Sequence, residues 1–140
     1  TLFRSKILEC SEKILKDGDY EFEKIEITNM WGNLLNKGNS HAPHTHSNNI
    51  LSGVYYLQSG SPIQFFDPRP AATILKPRNT VNWDNSGMMQ FDSTPDIALF
   101  FPSWLMHWVP PTSEERVSIA WNILVRGEYG EPHTLQNAYI

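Results

Sequence analysis

The hydrophobic pattern of this chain changes from a helical period near its start to an extended period over most of the rest. In residues 3–16, apolar side chains recur at helical spacing among Lys, Glu and Arg, and Gly18 follows as a stop signal. We therefore predict an amphipathic surface helix. Runs with the alternation and composition of strands follow at residues 20–28, 50–57, 62–66 and 97–101. One helix followed by many short strands favours an all-β sandwich or barrel with a helical cover.

The segments between these runs have the composition of loops. Residues 31–33 and 36–40 are rich in Gly and Asn, so we expect a loop there, preceded by an edge strand. Residues 67–96 are rich in Pro, Asn and Ser, which predicts a long, partly ordered excursion of the kind that often forms a lid or a binding loop. The polar tail after Arg126 is expected to pack as an extended arm.

Two apolar runs late in the chain are separated by a proline-rich turn. The first, residues 100–109, is interpreted as one strand with His107 near its end, and the second, residues 116–122, begins with Arg116. Because a turn joins them, we predict an antiparallel pair that brings His107 and Arg116 together at one end of a sheet. A metal ligand and an anion-binding group would then share one pocket.

The second run has two chemically different faces, because successive strand side chains alternate. Its apolar face is suited to packing beneath the helix. Its other face holds Arg116, Ser118, Ala120 and Asn122, and this polar pattern predicts the inside of a barrel mouth, and hence a cavity.

The tryptophans are interpreted mainly as packing residues, since aromatic side chains contribute much of the buried area of a core. We expect Trp104, Trp108 and Trp121 in the core. Trp31 and Trp83 lie near predicted loops, where packing is favoured and contact with a substrate is the alternative.

Length and charge limit the classes of function. A chain of 140 residues is expected to form one domain, residues 1–140. A net charge of -4 and a pI of 5.7 give no basic face, so nucleic acid groove binding is not expected. We see no membrane-length apolar run and no signal-peptide pattern, and the lone Cys10 cannot form an internal disulfide. We therefore expect a cytoplasmic protein without a membrane partner, although a start at Thr1 leaves open whether residues precede it.

Three histidines are the candidate metal ligands. His44 and His46 are two residues apart, so on an extended segment both rings project from one face and can reach the same ion. The pair alone is a weak signal, and His107 on a predicted inner strand strengthens it. His41 lies off this two-residue register and is interpreted as a loop residue.

Taken in order, several segments together resemble a family of 2-oxoglutarate- and iron(II)-dependent oxygenases from bacteria and phages, related to the prolyl-hydroxylase-like enzymes. These segments are residues 43–46, 51–57, 66–69, 101–107 and 116–122. The resemblance covers residues 31–122, and it implies a double-stranded β-helix, the jelly-roll fold shared with cupins. It also implies Fe(II) as the metal and 2-oxoglutarate as cosubstrate.

The resemblance implies a role for individual residues. His44 and His107 match iron ligands, and Arg116 with Ser118 matches the pair that holds the far carboxylate of 2-oxoglutarate. Tyr56 matches a tyrosine that, in prolyl-hydroxylase-like relatives, hydrogen-bonds the same carboxylate. Its parity agrees, since Ser52, Val54 and Tyr56 would share a strand face.

Position 46 departs from the pattern of the wider superfamily, which implies Asp or Glu where this chain has His46. Three neutral imidazoles still form a facial set that leaves open positions on an octahedral ion. Alternatively, His46 lies beside the ion, and Asp67 or a water completes the set. For Asp67 and Arg69 we favour a salt-bridged turn.

The predicted function is a 2-oxoglutarate- and Fe(II)-dependent dioxygenase, in the first place a hydroxylase, that takes oxygen and an unidentified prime substrate. One alternative is a cupin-like three-histidine metal dioxygenase that needs no 2-oxoglutarate, and another is a non-catalytic metal-binding jelly-roll module. Arg116 with Ser118 discriminates among them, because neither alternative needs a dicarboxylate clamp. A homodimer formed through the edge strand or the tail is left open.

Overall fold

The structure is a computed structural model that describes residues 2–69, 71–72 and 74–140. Pro70 and Thr73, which belong to the expected long loop, lie outside the described residues. The elements are α1 (Leu2–Asp17), β1 (Lys24–Leu35), β2 (His41–His44), β3 (Leu51–Gln58), β4 (Ile63–Phe66), β5 (Met88–Phe91), β6 (Ala98–Pro102), β7 (His107–Val109), β8 (Arg116–Arg126), β9 (Glu128–Tyr129) and β10 (Ala138–Tyr139).

Eight of the strands form two four-stranded antiparallel sheets, ordered β1-β8-β3-β6 and β2-β7-β4-β5. The chain crosses repeatedly from one sheet to the other, as it does in jelly rolls. The prediction of an all-β fold with a helical cover is therefore confirmed. The helix α1 among the described residues is not long and apolar enough to cross a membrane.

The helix covers the outer face of the β1-β8-β3-β6 sheet. Ile7 of α1 packs in one buried cluster with Trp121 and Ile123 of β8, as the apolar face of that strand predicts. Trp121 and Ile123 are fully buried, and each such side chain contributes about 1.5–3 kcal/mol or more to stability. Gly53 of β3 leaves room for the Trp121 ring, because a Cβ there would lie 2.4 Å from it.

A second buried cluster lies on the inner faces, between the two sheets. Its members are Val54, Tyr56, Ile63, Phe65 and Phe101. They come from β3, β4 and β6, so this cluster joins the sheets and forms the apolar floor of the space between them.

The apolar run at residues 100–109 is not one strand, contrary to our expectation. β6 ends at Pro102, a turn follows in which the Leu105 amide donates to the Pro102 carbonyl at 3.0 Å, and β7 begins at His107 in the other sheet. β7 pairs with β2 and β4, whereas β8 pairs with β1 and β3. The predicted pairing of the two runs is therefore wrong, because the proline-rich segment carries the chain between sheets instead of closing a hairpin.

β1 begins later and extends further than the sequence predicts. It starts at Lys24, and residues 31–33, expected to be a loop, continue the strand to Leu35. Pairing along the long β8, from Lys24 with Arg126 to Leu35 with Arg116, outweighs the loop composition of Gly and Asn. The expectation of a sheet-edge position is confirmed.

Of the remaining expectations, some are confirmed and others are wrong. Trp121 is in the core as predicted, but Trp104 is 60% exposed, because it lies in the turn between the sheets. The segment of residues 67–96 contains β5, which adds a fourth strand to the second sheet. In the tail, β9 and β10 pair with each other, so it is not simply an extended arm.

Candidate active site

A cavity of about 440 Å³ opens between the two sheets, within the range of roughly 300–1,000 Å³ that is usual for small-molecule sites. Both sheets contribute to its wall. Its lining includes Trp31, Asn33, His41, His44, His46, Val54, Ile63, Phe101, His107, Val109, Arg116 and Ser118.

Three histidine side chains meet in this cavity. His44 ends β2 and His107 begins β7, and the two residues are directly paired across the antiparallel ladder. His46 lies two residues after His44, with its ring centroid 5.1 Å from that of His107. One ring nitrogen of each lies within 4.8 Å of those of the other two. The sequence-predicted trio is thus brought together, although by a strand pairing that the sequence did not predict.

Hydrogen bonds orient all three imidazole rings in the same way. The Nδ1 atoms of His44 and His107 lie 2.7 Å from the Ala42 carbonyl and 2.8 Å from the Leu105 carbonyl. Because a carbonyl oxygen only accepts, each Nδ1 carries the proton and donates it. His46 Nδ1 has an equivalent partner in the Asn122 side-chain oxygen. This leaves the Nε2 lone pairs free, as histidine ligation of a metal requires.

Burial favours the neutral form of the His46 and His107 rings. His107 is 4% exposed, and its burial lowers the imidazole pKa to about 4, with the Leu105 carbonyl opposing the shift. Burial likewise lowers the pKa of His46, against the opposing effect of Asn122. Metals bind neutral imidazole, so the environment favours the ligating form at neutral pH.

Arg116 brings a buried positive charge to the same cavity. It is 2% exposed, and its guanidinium donates to the Ser61 carbonyl at 3.1 Å and to the Ser118 hydroxyl at 3.3 Å. Burial lowers the pKa of Arg116, but a guanidinium remains charged. Among the described residues no carboxylate pairs with it. An uncompensated buried charge costs several kcal/mol, so this environment favours an anionic ligand.

Tyr56 adds a buried hydroxyl beside Arg116. The Arg116 Cζ lies 5.0 Å from the centroid of its ring, and its buried hydroxyl has no hydrogen-bond partner among the described residues. Burial raises the pKa of Tyr56 to about 12, although the nearby guanidinium acts in the opposite direction. The phenol is therefore a proton donor at neutral pH. Arg116, Ser118 and Tyr56 together offer donors that suit a carboxylate.

Asp67 and His41 are not part of the three-histidine group. Asp67 pairs with Arg69 at 2.7 Å, and this arginine lowers the Asp67 pKa to about 2, so the favoured salt-bridged turn is confirmed. His41 lies in β2 and not in a loop, because this segment pairs with β7. Its ring lines the cavity, 6.5 Å from that of His44.

Sequence reasoning missed two asparagines near the candidate ligands. Asn122 was placed on the polar face of its strand, but nothing in the spacing connected it with His46. Asn33 was assigned to a loop, whereas it faces Ser118 across the β1–β8 ladder and accepts a hydrogen bond from the Trp31 indole at 3.1 Å. The parity of β1 would have suggested this, had residues 31–33 been recognised as a strand.

A match to a known protein family decides which family the chain belongs to. The sequence model of the family described as "Putative 2OG-Fe(II) oxygenase" matches residues 29–122. The chain belongs to this family. The cofactors of these 2OG-Fe(II) oxygenases are iron(II) and 2-oxoglutarate. The three imidazoles offer nitrogen ligands of the kind that iron(II) takes, and Arg116 offers hydrogen-bond donors that suit a carboxylate.

Solved structures share the fold of this 2OG-Fe(II) oxygenase. A prolyl-4-hydroxylase from Pseudomonas putida aligns with a TM-score of 0.60 and 18% identity, over 89% of this chain and 63% of that one. A 2OG-Fe(II) oxygenase family oxidoreductase from Burkholderia pseudomallei aligns at 0.58 and 14%, over 75% of this chain and 47% of that one. The viral collagen prolyl hydroxylase of Paramecium Bursaria Chlorella virus-1, solved with 2OG, aligns at 0.60 and 12%, over 88% and 72%.

These similarities establish the double-stranded β-helix fold for the 2OG-Fe(II) oxygenase studied here. The chain spans less than two thirds of the length of the Pseudomonas and Burkholderia proteins. No curated protein has a sequence that matches it significantly.

Proposed function

We propose that this protein is a 2-oxoglutarate-dependent iron(II) dioxygenase in which His44, His46 and His107 hold the metal. In this proposal Arg116, Ser118 and Tyr56 hold the far carboxylate of 2-oxoglutarate. The observation that carries it is the buried Arg116 guanidinium, which has no acidic partner among the described residues and lines the same cavity as the three histidines. A bound dicarboxylate would neutralise it and reach the metal with its other end.

The three-imidazole set suits a cosubstrate with a negative charge. A site with His46 in place of a carboxylate is one unit more positive, so it attracts an anionic 2-oxo acid more strongly. Iron(II) held there would supply the oxygen chemistry, in which O2 gives one oxygen atom to 2-oxoglutarate, leaving succinate and carbon dioxide, and the other to a second substrate.

The protein's own part is positioning and shielding. Arg116 can grip a carboxylate with two parallel hydrogen bonds, which fixes the direction of the bound molecule. Tyr56 can donate to the same carboxylate, because its raised pKa keeps the hydroxyl protonated. Part of the wall around the site is apolar and excludes water from it; this part consists of Val54, Ile63 and Phe101.

The rest of the wall indicates the character of the prime substrate. Trp31, Asn33 and His41 line the cavity without contributing a formal charge when His41 is neutral, and burial lowers the pKa of His41. The Trp31 indole N–H donates to the Asn33 side-chain oxygen, and the NH₂ group of the Asn33 amide remains available as a donor. We propose that the substrate enters as an uncharged group with a hydrogen-bond acceptor, and that it is hydroxylated. Because both sheets line one cavity, we also propose that residues 1–140 act as one domain.

The cosubstrate assignment is tested by ligand-induced stabilisation. The protein is loaded anaerobically with iron(II), and its thermal midpoint is measured with and without 2-oxoglutarate. A ligand at 100 times its dissociation constant adds about 2.7 kcal/mol, so a clear upward shift is expected. Arg116→Ala should abolish the shift, because the carboxylate loses its cationic partner.

Arg69→Ala is the matched control, since Arg69 is an exposed arginine paired with Asp67. It should keep the wild-type shift. If 2-oxoglutarate leaves the wild-type midpoint unmoved, or if Arg116→Ala shifts as much as wild type, the assignment is wrong.

One observation favours a second candidate, the cupin-like three-histidine dioxygenase that uses no 2-oxoglutarate. The nitrogen atoms of the site come from three histidines, and no carboxylate of the described residues joins the group. The same experiment separates the candidates. A metal-dependent oxygenase activity that continues without 2-oxoglutarate and survives Arg116→Ala would favour this second one.

A further inference from the structure

His46 is held from two directions. Its backbone amide donates to the Ser103 carbonyl at 2.9 Å, and its ring Nδ1 contacts the Asn122 side-chain oxygen. Ser103 is fully buried, and its own amide donates to the Ile50 carbonyl at 3.0 Å. The ring therefore has little freedom to turn away from the cavity.

A buried polar cluster lies behind this ring. Ser52 of β3 contacts Asn122 of β8 at 2.7 Å, Ser103 at 2.8 Å and His46 Nδ1 at 3.1 Å. Ser52, Ser103 and Asn122 are all at most 5% exposed, so their polar atoms depend on one another. The sequence positions are remote, and only the packing of three separate segments brings them together.

The hydrogens of this cluster can be assigned from its acceptors. The Asn122 oxygen only accepts, so the single Ser52 hydroxyl hydrogen points to it, and Ser103 must then donate to Ser52. No hydrogen remains to bridge His46 Nδ1 and the Asn122 oxygen except one on the imidazole itself. The ring is consequently the Nδ1–H form, with the Nε2 lone pair directed to the other histidines.

We propose that Asn122, itself oriented by Ser52 and Ser103, is the positioning residue that makes His46 a metal ligand. A carboxylate can ligate with either oxygen and needs no tautomer, whereas an imidazole ligates only from an unprotonated nitrogen. Ligation by His46 therefore requires a fixed acceptor behind the ring. This role rests on the proposed function, because it concerns a ligand of the proposed iron.

The tautomer can be read directly in the metal-free protein. Long-range ¹H–¹⁵N spectra of the histidine rings should show His46 as Nδ1–H in wild type. The reverse orientation of the Asn122 amide would place its NH₂ against Nδ1 and move the ring proton to Nε2. An Nε2–H form of His46 in wild type would overturn the proposal.

Two substitutions at one position separate orientation from packing. Asn122→Leu removes the acceptor at similar volume, and iron(II) or cobalt(II) affinity should fall about 10–100-fold, as it does when other outer partners of metal ligands are lost. Asn122→Asp keeps an acceptor, so it should retain the Nδ1–H form and bind metal at least as tightly as wild type. Equal affinities for the two variants, or a wild-type affinity in Asn122→Leu, would overturn the role.

Ser52→Ala tests the same role if Asn122→Leu does not fold. Removal of the hydroxyl frees the amide to reverse, so the His46 tautomer should become mixed and the metal affinity should fall. Ser93→Ala is the control, because Ser93 is 2% exposed but bonds Gly60 at 2.8 Å, away from the histidines. If Ser52→Ala matches Ser93→Ala in both measurements, the role is wrong. A protein that binds no metal but shows the expected tautomers would contradict the proposed function and leave the role of Asn122 in orienting the ring intact.

Discussion

His46 puts an imidazole where the sequence resemblance to the wider superfamily predicts a carboxylate, and the chemistry of the site changes with it. An imidazole brings no charge, must be neutral to bind a metal and has to be turned to the right nitrogen. The surroundings of the ring meet the two requirements of neutrality and orientation. Burial lowers its pKa, and the Asn122 oxygen orients it.

At the scale of single residues, the buried neutral ring of His107 predicts a pH dependence of stability. His107 has a folded-state pKa of about 4, below the unfolded value of about 6.5. Between these values the unfolded state binds a proton that the folded state does not, so the free energy of unfolding falls as pH falls. For the metal-free protein we expect a loss of about 2 kcal/mol between pH 7 and pH 5 from this residue.

Urea unfolding in the presence of a chelator measures this loss. His107→Gln removes the titrating ring, so its stability should change less over the same interval. A wild-type curve as flat as that of the variant would show that His107 does not stay neutral in the folded state.

At the scale of elements, β8 is the strand on which the site and the core both depend. Its inner face brings Arg116 and Ser118 to the cavity and Asn122 behind the His46 ring, while its outer face buries Trp121 and Ile123 beneath α1. It is paired on both sides, by β1 and by β3. Distortion of its outer packing should therefore be felt in the cavity.

Gly53 provides a test of the outer packing of β8. A Cβ at this position would lie 2.4 Å from the Trp121 ring, so Gly53→Ala should destabilise the protein by about 1–3 kcal/mol, the usual cost of overpacking. Gly32→Ala is the matched control, because a Cβ on Gly32 would meet nothing within 4 Å. Denaturant midpoints of the two variants check the prediction, and equal midpoints would contradict it.

At the scale of the whole molecule, the proposed ligands belong to different sheets. The metal set includes His44 of β2 and His107 of β7, whereas the carboxylate set includes Arg116 of β8 and Tyr56 of β3. A molecule that touched both would link the sheets across the cavity. Such a link adds contacts that the unliganded protein lacks and stabilises the folded state by mass action.

Hydrogen exchange should report this link. Addition of iron(II) and 2-oxoglutarate under anaerobic conditions is expected to slow amide exchange in β2 and β7, because opening these short strands would break the new contacts. The β9–β10 pair, whose residues do not line the cavity, serves as the internal reference. Unchanged exchange in β2 and β7, or an equal change in the reference pair, would argue against a ligand that bridges the sheets.

Much of this protein could be predicted from local pattern. Helical spacing indicates α1, alternation separates the two faces of β8, and the resemblance of ordered motifs points to the oxygenase family that the family comparison then shows. These features depend on neighbours in sequence, so the sequence by itself determined them. The metal and cosubstrate roles of the site residues stay predictions.

The tertiary structure decided what local pattern cannot express. It sends the chain to the second sheet between Pro102 and His107, makes a strand of residues 31–33 and leaves Trp104 exposed. It also brings Asn122 of β8 to His46, which lies in the loop between β2 and β3. Each outcome depends on which distant segments pair and pack, and the energy of those contacts exceeds the weak local preferences that spacing and composition reveal.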